Sequence, residues 1–190
     1  SSYTPANNTI QYCDSYYNAM ADSNTALQTV GGVTGEANAD GFTAKFQYVS
    51  TGNSFTGCRS FNNGDDGWDF WQAPNKVTIT NSMCNANGKF TNGGSSSGDG
   101  NGFKMGGNSV SAAHTMMNCF GIDNNGNGGH KADWGFTNNS NPATITCTGC
   151  GAWNNMGGNF QSISHSGDVS MPSGVTSAKA AAAKRPAARR

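Results

Sequence analysis

Asp65, Asp66 and Asp69 place three carboxylates within five residues, in the run Asp65-Asp66-Gly67-Trp68-Asp69. Such a grouping is costly to fold unless a cation or a basic side chain sits among the carboxylates. The stretch Asn101-Gly102-Phe103-Lys104 supplies a candidate ammonium group. The chemistry available depends on what brings the two stretches together.

Two patterns point to the positioning scaffold. Counting from Ile10, Phe55, Ile79, Met116 and Cys147, the third residue on is Cys13, Cys58, Ser82, Cys119 or Cys150, and the eighth is always Asn: Asn18, Asn63, Asn87, Asn124 and Asn155. A small residue followed by an aromatic recurs at Gly41-Phe42, Gly67-Trp68, Gly102-Phe103, Gly135-Phe136 and Asn159-Phe160. From each aromatic to the next starting residue the arc is 13, 11, 13 and 11 residues, whereas from each Asn to the small residue it is 23, 4, 15, 11 and 4. Nearly fixed arcs, one variable arc and identities in register predict an all-β parallel β-helix of about five coils, with loop insertions at one corner. The Asn column then reads as an amide ladder, and the Cys, Phe/Trp and Ile/Met columns as interior stacks.

Composition agrees with short strands and tight turns. The chain has 190 residues with 27 glycines, and only 12% are charged. Asn and Gly tolerate the left-handed backbone that tight turns need. No run is long and apolar enough for a membrane span. Residues 1–178 carry 6 basic and 11 acidic side chains, while Lys179, Lys184, Arg185, Arg189 and Arg190 make the end basic. Residues 1–177 therefore read as the β-helix domain and 178–190 as a flexible Ala/Lys/Arg tail. The acidic body argues against a nucleic-acid partner, and a polyanion contact by the tail is the lesser reading. The column cysteines read as buried small apolar side chains, with a Cys147–Cys150 disulfide as the alternative. Zinc is disfavoured, because no second cysteine pair stands at ligand spacing and the three histidines form no group.

Aligning the coils on their aromatics places the charged residues. The residue after the aromatic is Thr43, Asp69, Lys104, Thr137 or Gln161, so Asp69 and Lys104 are expected side by side from adjacent coils. Two residues before the aromatic stand Asp40, Asp66, Asn101 and Trp134, which stacks Asp40 on Asp66 with Asp65 beside them. Because side chains alternate along a strand, the cluster is expected on the outer surface, with residues 19–40 and 88–101 walling a groove around it. Four carboxylates exceed what one lysine can balance, and all-oxygen ligation suits Ca²⁺ better than Mg²⁺. Arg59 is a candidate clamp for a substrate carboxylate, and Trp71 and Trp134 are candidate sugar-stacking faces.

Three runs carry a resemblance: Asn38-Ala-Asp40-Gly-Phe-Thr-Ala-Lys45, then Gly52 through Asp69, then Gly98-Asp-Gly-Asn-Gly-Phe-Lys-Met-Gly-Gly107. The sequence resembles polysaccharide lyase family nine, founded on pectate lyases, across roughly residues 8–160. That resemblance implies a right-handed parallel β-helix, Asp40, Asp65, Asp66 and Asp69 as calcium ligands, and Lys104 as the catalytic base. It also implies a secreted enzyme acting on an acidic polysaccharide, pectate or polygalacturonate foremost, by β-elimination. Family members usually carry several coils ahead of the segment matching Asn8, so the 190 residues read as a fragment, a processed form or a shortened relative. The competing reading is a non-catalytic polysaccharide-binding or filament-forming β-helix, either monomeric or associating end to end.

Overall fold

The computed structural model describes residues 6–18, 29–30, 33–34, 39–46, 49–88, 98–124 and 133–170. Among them there is no helix. Three parallel sheets run the length of the molecule. The first stacks β1 (Thr9–Gln11), β6 (Asn53–Thr56), β9 (Val77–Thr80), β12 (Thr115–Met117), β15 (Thr146–Thr148) and β18 (Ser164–Ser166). The second stacks β2 (Asp14–Tyr16), β7 (Arg59–Phe61), β10 (Met83–Asn85), β13 (Phe120–Ile122) and β16 (Gly151–Trp153). The third stacks β5 (Phe42–Thr43), β8 (Trp68–Asp69), β11 (Phe103–Lys104), β14 (Trp134–Thr137) and β17 (Gly158–Gln161). A short antiparallel pair, β3 (Thr29–Val30) with β4 (Val33–Thr34), lies outside this frame. One strand from each sheet makes a coil, so the chain forms five coils and begins a sixth, the parallel β-helix that the columns predict.

Register matches the columns residue for residue. Ile10 pairs Phe55, Phe55 pairs Ile79, Ile79 pairs Met116 and Met116 pairs Cys147 in the first sheet. In the third sheet the aromatics stack with ring centroids 5.0 Å apart for Phe42 and Trp68, 4.6 Å for Trp68 and Phe103, 4.7 Å for Phe103 and Phe136, and 5.0 Å for Phe136 and Phe160. Trp68, Phe103 and Phe136 are fully buried. Stacked rings contribute area burial plus about 0.5–1.5 kcal/mol per pair.

The inward column of the second sheet is small by contrast: Ser15, Ser60, Cys84, Gly121 and Ala152 share one register. Small side chains there leave room for the rings opposite, and they explain the small residue ahead of each aromatic. A Cβ on Gly102 would fall 2.4 Å from Cys84 Sγ and 2.6 Å from the Gly135 carbonyl oxygen.

The Asn ladder forms as expected. Side-chain amides donate from Asn18 to Asn63, Asn63 to Asn87, Asn87 to Asn124 and Asn124 to Asn155 at 2.8, 2.9, 3.0 and 2.8 Å. Each acceptor oxygen also takes the backbone N–H of the residue before it in the ladder, at 3.1–3.3 Å. Immediately ahead of the ladder, Tyr17, Asn62, Ala86, Asp123 and Asn154 all have positive φ between 52° and 55°. The ladder therefore follows a left-handed kink that repeats in every coil.

The cysteines divide. Cys58 and Cys119 are buried thiols, as expected for their column, and Cys84 is a further buried thiol. Cys13 is exposed, which corrects its reading as buried, because the first coil stands at the edge of the stacked sheets. Cys147 and Cys150 form a disulfide, which corrects the reading of Cys150 as a buried thiol. Three residues apart across a corner, their Cα atoms stand 5.9 Å apart, within the span a disulfide bridges. The 178–190 tail lies outside the described residues.

Candidate active site

Strand pairing sets the centre of the site. Lys104 on β11 pairs Asp69 on β8, and Asp69 pairs Thr43 on β5, as the alignment on the aromatics predicts. The turn between β7 and β8 carries Asp65 and Asp66, and the Asp66 N–H donates to Asp40 Oδ1 at 3.2 Å from the coil before. Carboxylate oxygens of Asp40, Asp65 and Asp66 lie within 4.8 Å of one another, a grouping able to hold a metal ion. Asp69 lies outside this group of three: its Oδ1 accepts the Trp71 N–H at 2.8 Å, and its Oδ2 lies 2.7 Å from Lys45 Nζ and 3.5 Å from Lys104 Nζ.

The cluster is not on the open surface. Asp65, Asp66 and Asp69 are 1%, 0% and 2% exposed, and Lys104 is 8% exposed. Side chains here do point away from the aromatic core, but the segment 98–101 closes over them. Asp99 N–H donates to Asp65 Oδ1 at 2.6 Å, and Asn101 donates its backbone N–H and its amide to Asp66 Oδ1 at 2.8 and 2.9 Å. The rest of the expected groove walls, residues 19–28, 31–32, 35–38 and 89–97, falls outside the described residues.

Two charged residues join the cluster that column alignment did not find. Lys45 Nζ bridges Asp40 Oδ2 at 2.6 Å and Asp69 Oδ2 at 2.7 Å. Asp99 Oδ2 lies 2.7 Å from Lys104 Nζ, which also lies 3.0 Å from Asp66 Oδ2. A signal was present: Asp40 and Lys45, and Asp99 and Lys104, are each five residues apart, and both pairs close into ion pairs.

Five carboxylates thus face two ammonium groups. Burial and the neighbouring Asp40 push the Asp65 carboxyl up to about 7, against the opposing pull of Lys104 and the Asp99 N–H. Burial first, then Asp65, raises Asp66 well above the carboxylate range. Burial and Asp69 raise Asp40 in spite of Lys45. For Lys104, burial pulls downward but Asp66, Asp69 and Asp99 outweigh it, holding the amine above its ordinary range and protonated. Asp66 Oδ2 is buried and accepts no hydrogen bond; the Lys104 ammonium is near it but not aligned to donate. A buried, under-satisfied carboxylate oxygen amid surplus negative charge is a fitting place for a hard cation.

The remaining predicted residues are more dispersed. Trp134 lines a cavity of about 500 Å³ with Asn101, Asp99, Thr137, Asn139 and Gln161, adjoining the cluster on its C-terminal side. Trp71 packs edge-on to Phe46 at 5.4 Å, and its indole fills the space a Cβ on Gly107 would need. Arg59 lies on the second sheet, where its guanidinium engages Asp14. The structure therefore joins Lys104 with all four predicted aspartates, borders them with Trp134, and sets Arg59 on another face.

Known proteins carry the same coils. A pectate lyase L of Paenibacillus polymyxa is 39% identical over 162 residues, 82% of this chain and 32% of that protein. A pectate lyase L of Thermoclostridium stercorarium is 36% identical over 86% of this chain and 12% of that protein. The crystal structure of pectate lyase Pel9A superposes with a TM-score of 0.62 at 28% identity, over 85% of this chain and 40% of that one. A rhamnogalacturonan lyase superposes with a TM-score of 0.63 at 29% identity, over 79% of this chain and 36% of that one. The chain spans about a third or less of the two curated relatives named here. The profile of the Pel9A-like right-handed β-helix region matches residues 1–177, and the chain belongs to that family.

Proposed function

We propose that these coils carry the site of a calcium-dependent polysaccharide lyase acting on a 4-linked uronate polymer, with polygalacturonate the first candidate. The observation that supports this best is the register of Lys104 beside Asp69, with Asp40, Asp65 and Asp66 grouped next to it. In β-elimination the proton on C5, α to the uronate carboxylate, is removed, the electron pair forms the C4–C5 double bond, and the glycosidic oxygen on C4 departs.

Lys104 Nζ is the proposed base. It can accept a proton only once the carboxylate field that holds it protonated is offset. Asp40, Asp65 and Asp66, joined by Asp69, are the proposed Ca²⁺ ligands. When bound, Ca²⁺ would offset that field and stabilise the negative charge developing on the substrate carboxylate. The Asn101 amide and the Asp99 N–H fix the carboxylates in place, so the site is organised before substrate arrives. Trp134 and its cavity offer a face for a neighbouring sugar ring. Arg59 would touch only a polymer that crosses the second sheet, and Trp71 one that reaches the corner beyond Asp69. Uronate polymers of this kind are extracellular, and the Cys147–Cys150 disulfide suits an oxidising compartment.

Incubation with polygalacturonate and Ca²⁺ is expected to release a product with the ultraviolet absorbance of a conjugated uronate. Excess chelator is expected to stop it. Full activity in chelator would overturn the calcium reading, and no product from any uronate polymer would favour a binding role instead.

A further inference from the structure

We infer that Lys45 is a resident counter-cation of the aspartate cluster, competing with a divalent cation for the carboxylates of Asp40 and Asp69. The inference rests on the cation-assisted reading above and names a positioning residue for it. Lys45 Nζ lies 2.6 Å from Asp40 Oδ2 and 2.7 Å from Asp69 Oδ2, with the three side chains 12%, 1% and 2% exposed. Of the two oxygens of Asp40, Oδ1 already accepts the Asp66 N–H, so Oδ2 is the one that Lys45 withholds. Asp69 is in the same position: Oδ1 accepts the Trp71 N–H and Oδ2 holds the lysine.

A calcium ion takes six to eight oxygens, roughly, and a carboxylate-rich site supplies them by aiming several side chains inward. Here half of the candidate donors are turned toward an internal ammonium. Lys45 thus ties up one oxygen on each of two aspartates, Asp40 within the grouping with Asp65 and Asp66, and Asp69 beside it. For Asp40 Oδ2 and Asp69 Oδ2 to join a cation, Lys45 has to withdraw. Beside it lies a cavity of about 340 Å³ with a mostly apolar lining, Ile10, Ala44, Val49 and Phe55 together with the amides of Asn8 and Asn53, so a displaced Lys45 can lay its methylene stem there with its ammonium toward the amides or solvent. Lys104, held by Asp66, Asp69 and Asp99, faces the opposite side, so the two lysines divide the cluster between them.

The test uses the full chain stripped of metal by chelator and titrated with CaCl₂ in a calorimeter, alongside Lys45→Met and Lys45→Gln. Removing the competing charge is expected to tighten Ca²⁺ binding at least about tenfold in both variants. Without calcium the variants are expected to melt below the wild type, and calcium is expected to raise their midpoints more than it raises the wild type's. A second measurement needs only the wild type: acylation of Lys45, mapped by peptide mass spectrometry, is expected to speed up when Ca²⁺ is present. Wild-type binding with equal or weaker affinity in the variants, or acylation unchanged or slowed by calcium, overturns the competition and leaves the cation reading standing. No binding in any of the three proteins overturns both.

Discussion

Replacing Lys104 by Met removes the proposed base while keeping most of the side-chain volume, and the structure separates its two consequences. The first is chemical. A positioned general base contributes roughly 10²- to 10⁴-fold, so kcat is expected to fall by about three decades, near 4 kcal/mol of barrier. The second is electrostatic and falls unevenly on three carboxylates. Asp69 keeps Lys45 at 2.7 Å, and Asp99, with its side chain 41% exposed, can rehydrate. Asp66 is fully buried and loses the ammonium 3.0 Å from an oxygen that accepts no hydrogen bond. One stranded carboxyl rather than three, and one already held well above the carboxylate range so that it takes up a proton when the ammonium goes, puts the loss of metal-free stability below that of a broken buried pair, about 1–2 kcal/mol. Urea unfolding in chelator reads the stability, and the initial rate of unsaturated-uronate release at saturating Ca²⁺ reads the chemistry. Because calcium would supply the missing charge, most of the stability should return with it while the rate should not. A variant turning over within tenfold of the wild type at saturating Ca²⁺ would refute Lys104 as the base. A variant with unchanged metal-free stability would refute its role as the partner of Asp66.

Asn87→Ala is expected to cost about 2 kcal/mol, since it takes the acceptor from the buried Asn63 N–H, whereas the Asn63 amide keeps Ser60 Oγ and Asn124 Oδ1 keeps the backbone N–H of residue 87; Asn18→Ala, at the exposed end of the ladder, should cost under about 1 kcal/mol, both read from urea midpoints at constant m-value. Gly102→Ala drives a methyl to 2.4 Å from Cys84 Sγ and should destabilise by about 2 kcal/mol or more, and Cys84→Ala in the same chain should recover part of that in thermal melts. His114 is fully buried, and burial lowers its pKa from 6.5 to about 4, so the unfolded chain binds a proton that the folded chain refuses. Its contribution is therefore intact above pH 6.5 and is lost as pH falls toward 4, on the order of 3 kcal/mol. Urea unfolding of wild type and His114→Met across that window checks it, and equal slopes for the two would remove His114 as the cause.

The sequence carried the frame because a β-helix writes its register as repeated identities. Asn18 through Asn155 and Phe42 through Phe160 are each in contact with their own column neighbours, so aligning the columns was equivalent to pairing the strands. Lys104 beside Asp69 followed directly. Lys45 and Asp99 did not, because neither occupies a shared column; each is brought in by a local loop, and only the common five-residue spacing to its partner hints at it. Burial of the cluster was also out of reach. Strand alternation correctly turns Asp69 and Lys104 away from the core, but whether that direction meets water depends on where residues 98–101 fold back. The disulfide was ambiguous for a different reason, since Cys147 and Cys150 belong to two interior columns and a column position does not distinguish a thiol from half a disulfide. Left-handed backbone at Tyr17 and Ala86 shows the coil geometry overriding residue preference by about 1–2 kcal/mol each.

The Asn ladder has a consequence for how such a molecule can change. Every excursion of variable length, 23, 4, 15, 11 or 4 residues, leaves the coil just after a ladder amide and re-enters just before an aromatic. With the exit clamped by side-chain amides and the re-entry by ring stacking, the path between them exerts little leverage on the strands on either side. Loops at that corner can lengthen or shorten while Asp69 and Lys104 keep their alignment, so long as the last residues before each aromatic, Asp40, Asp65 with Asp66, and Asp99 through Asn101, are retained. On the proposed reading, new polymer specificities can therefore be tried at the rim without rebuilding the centre, much as a lathe accepts different tools while its chuck stays true.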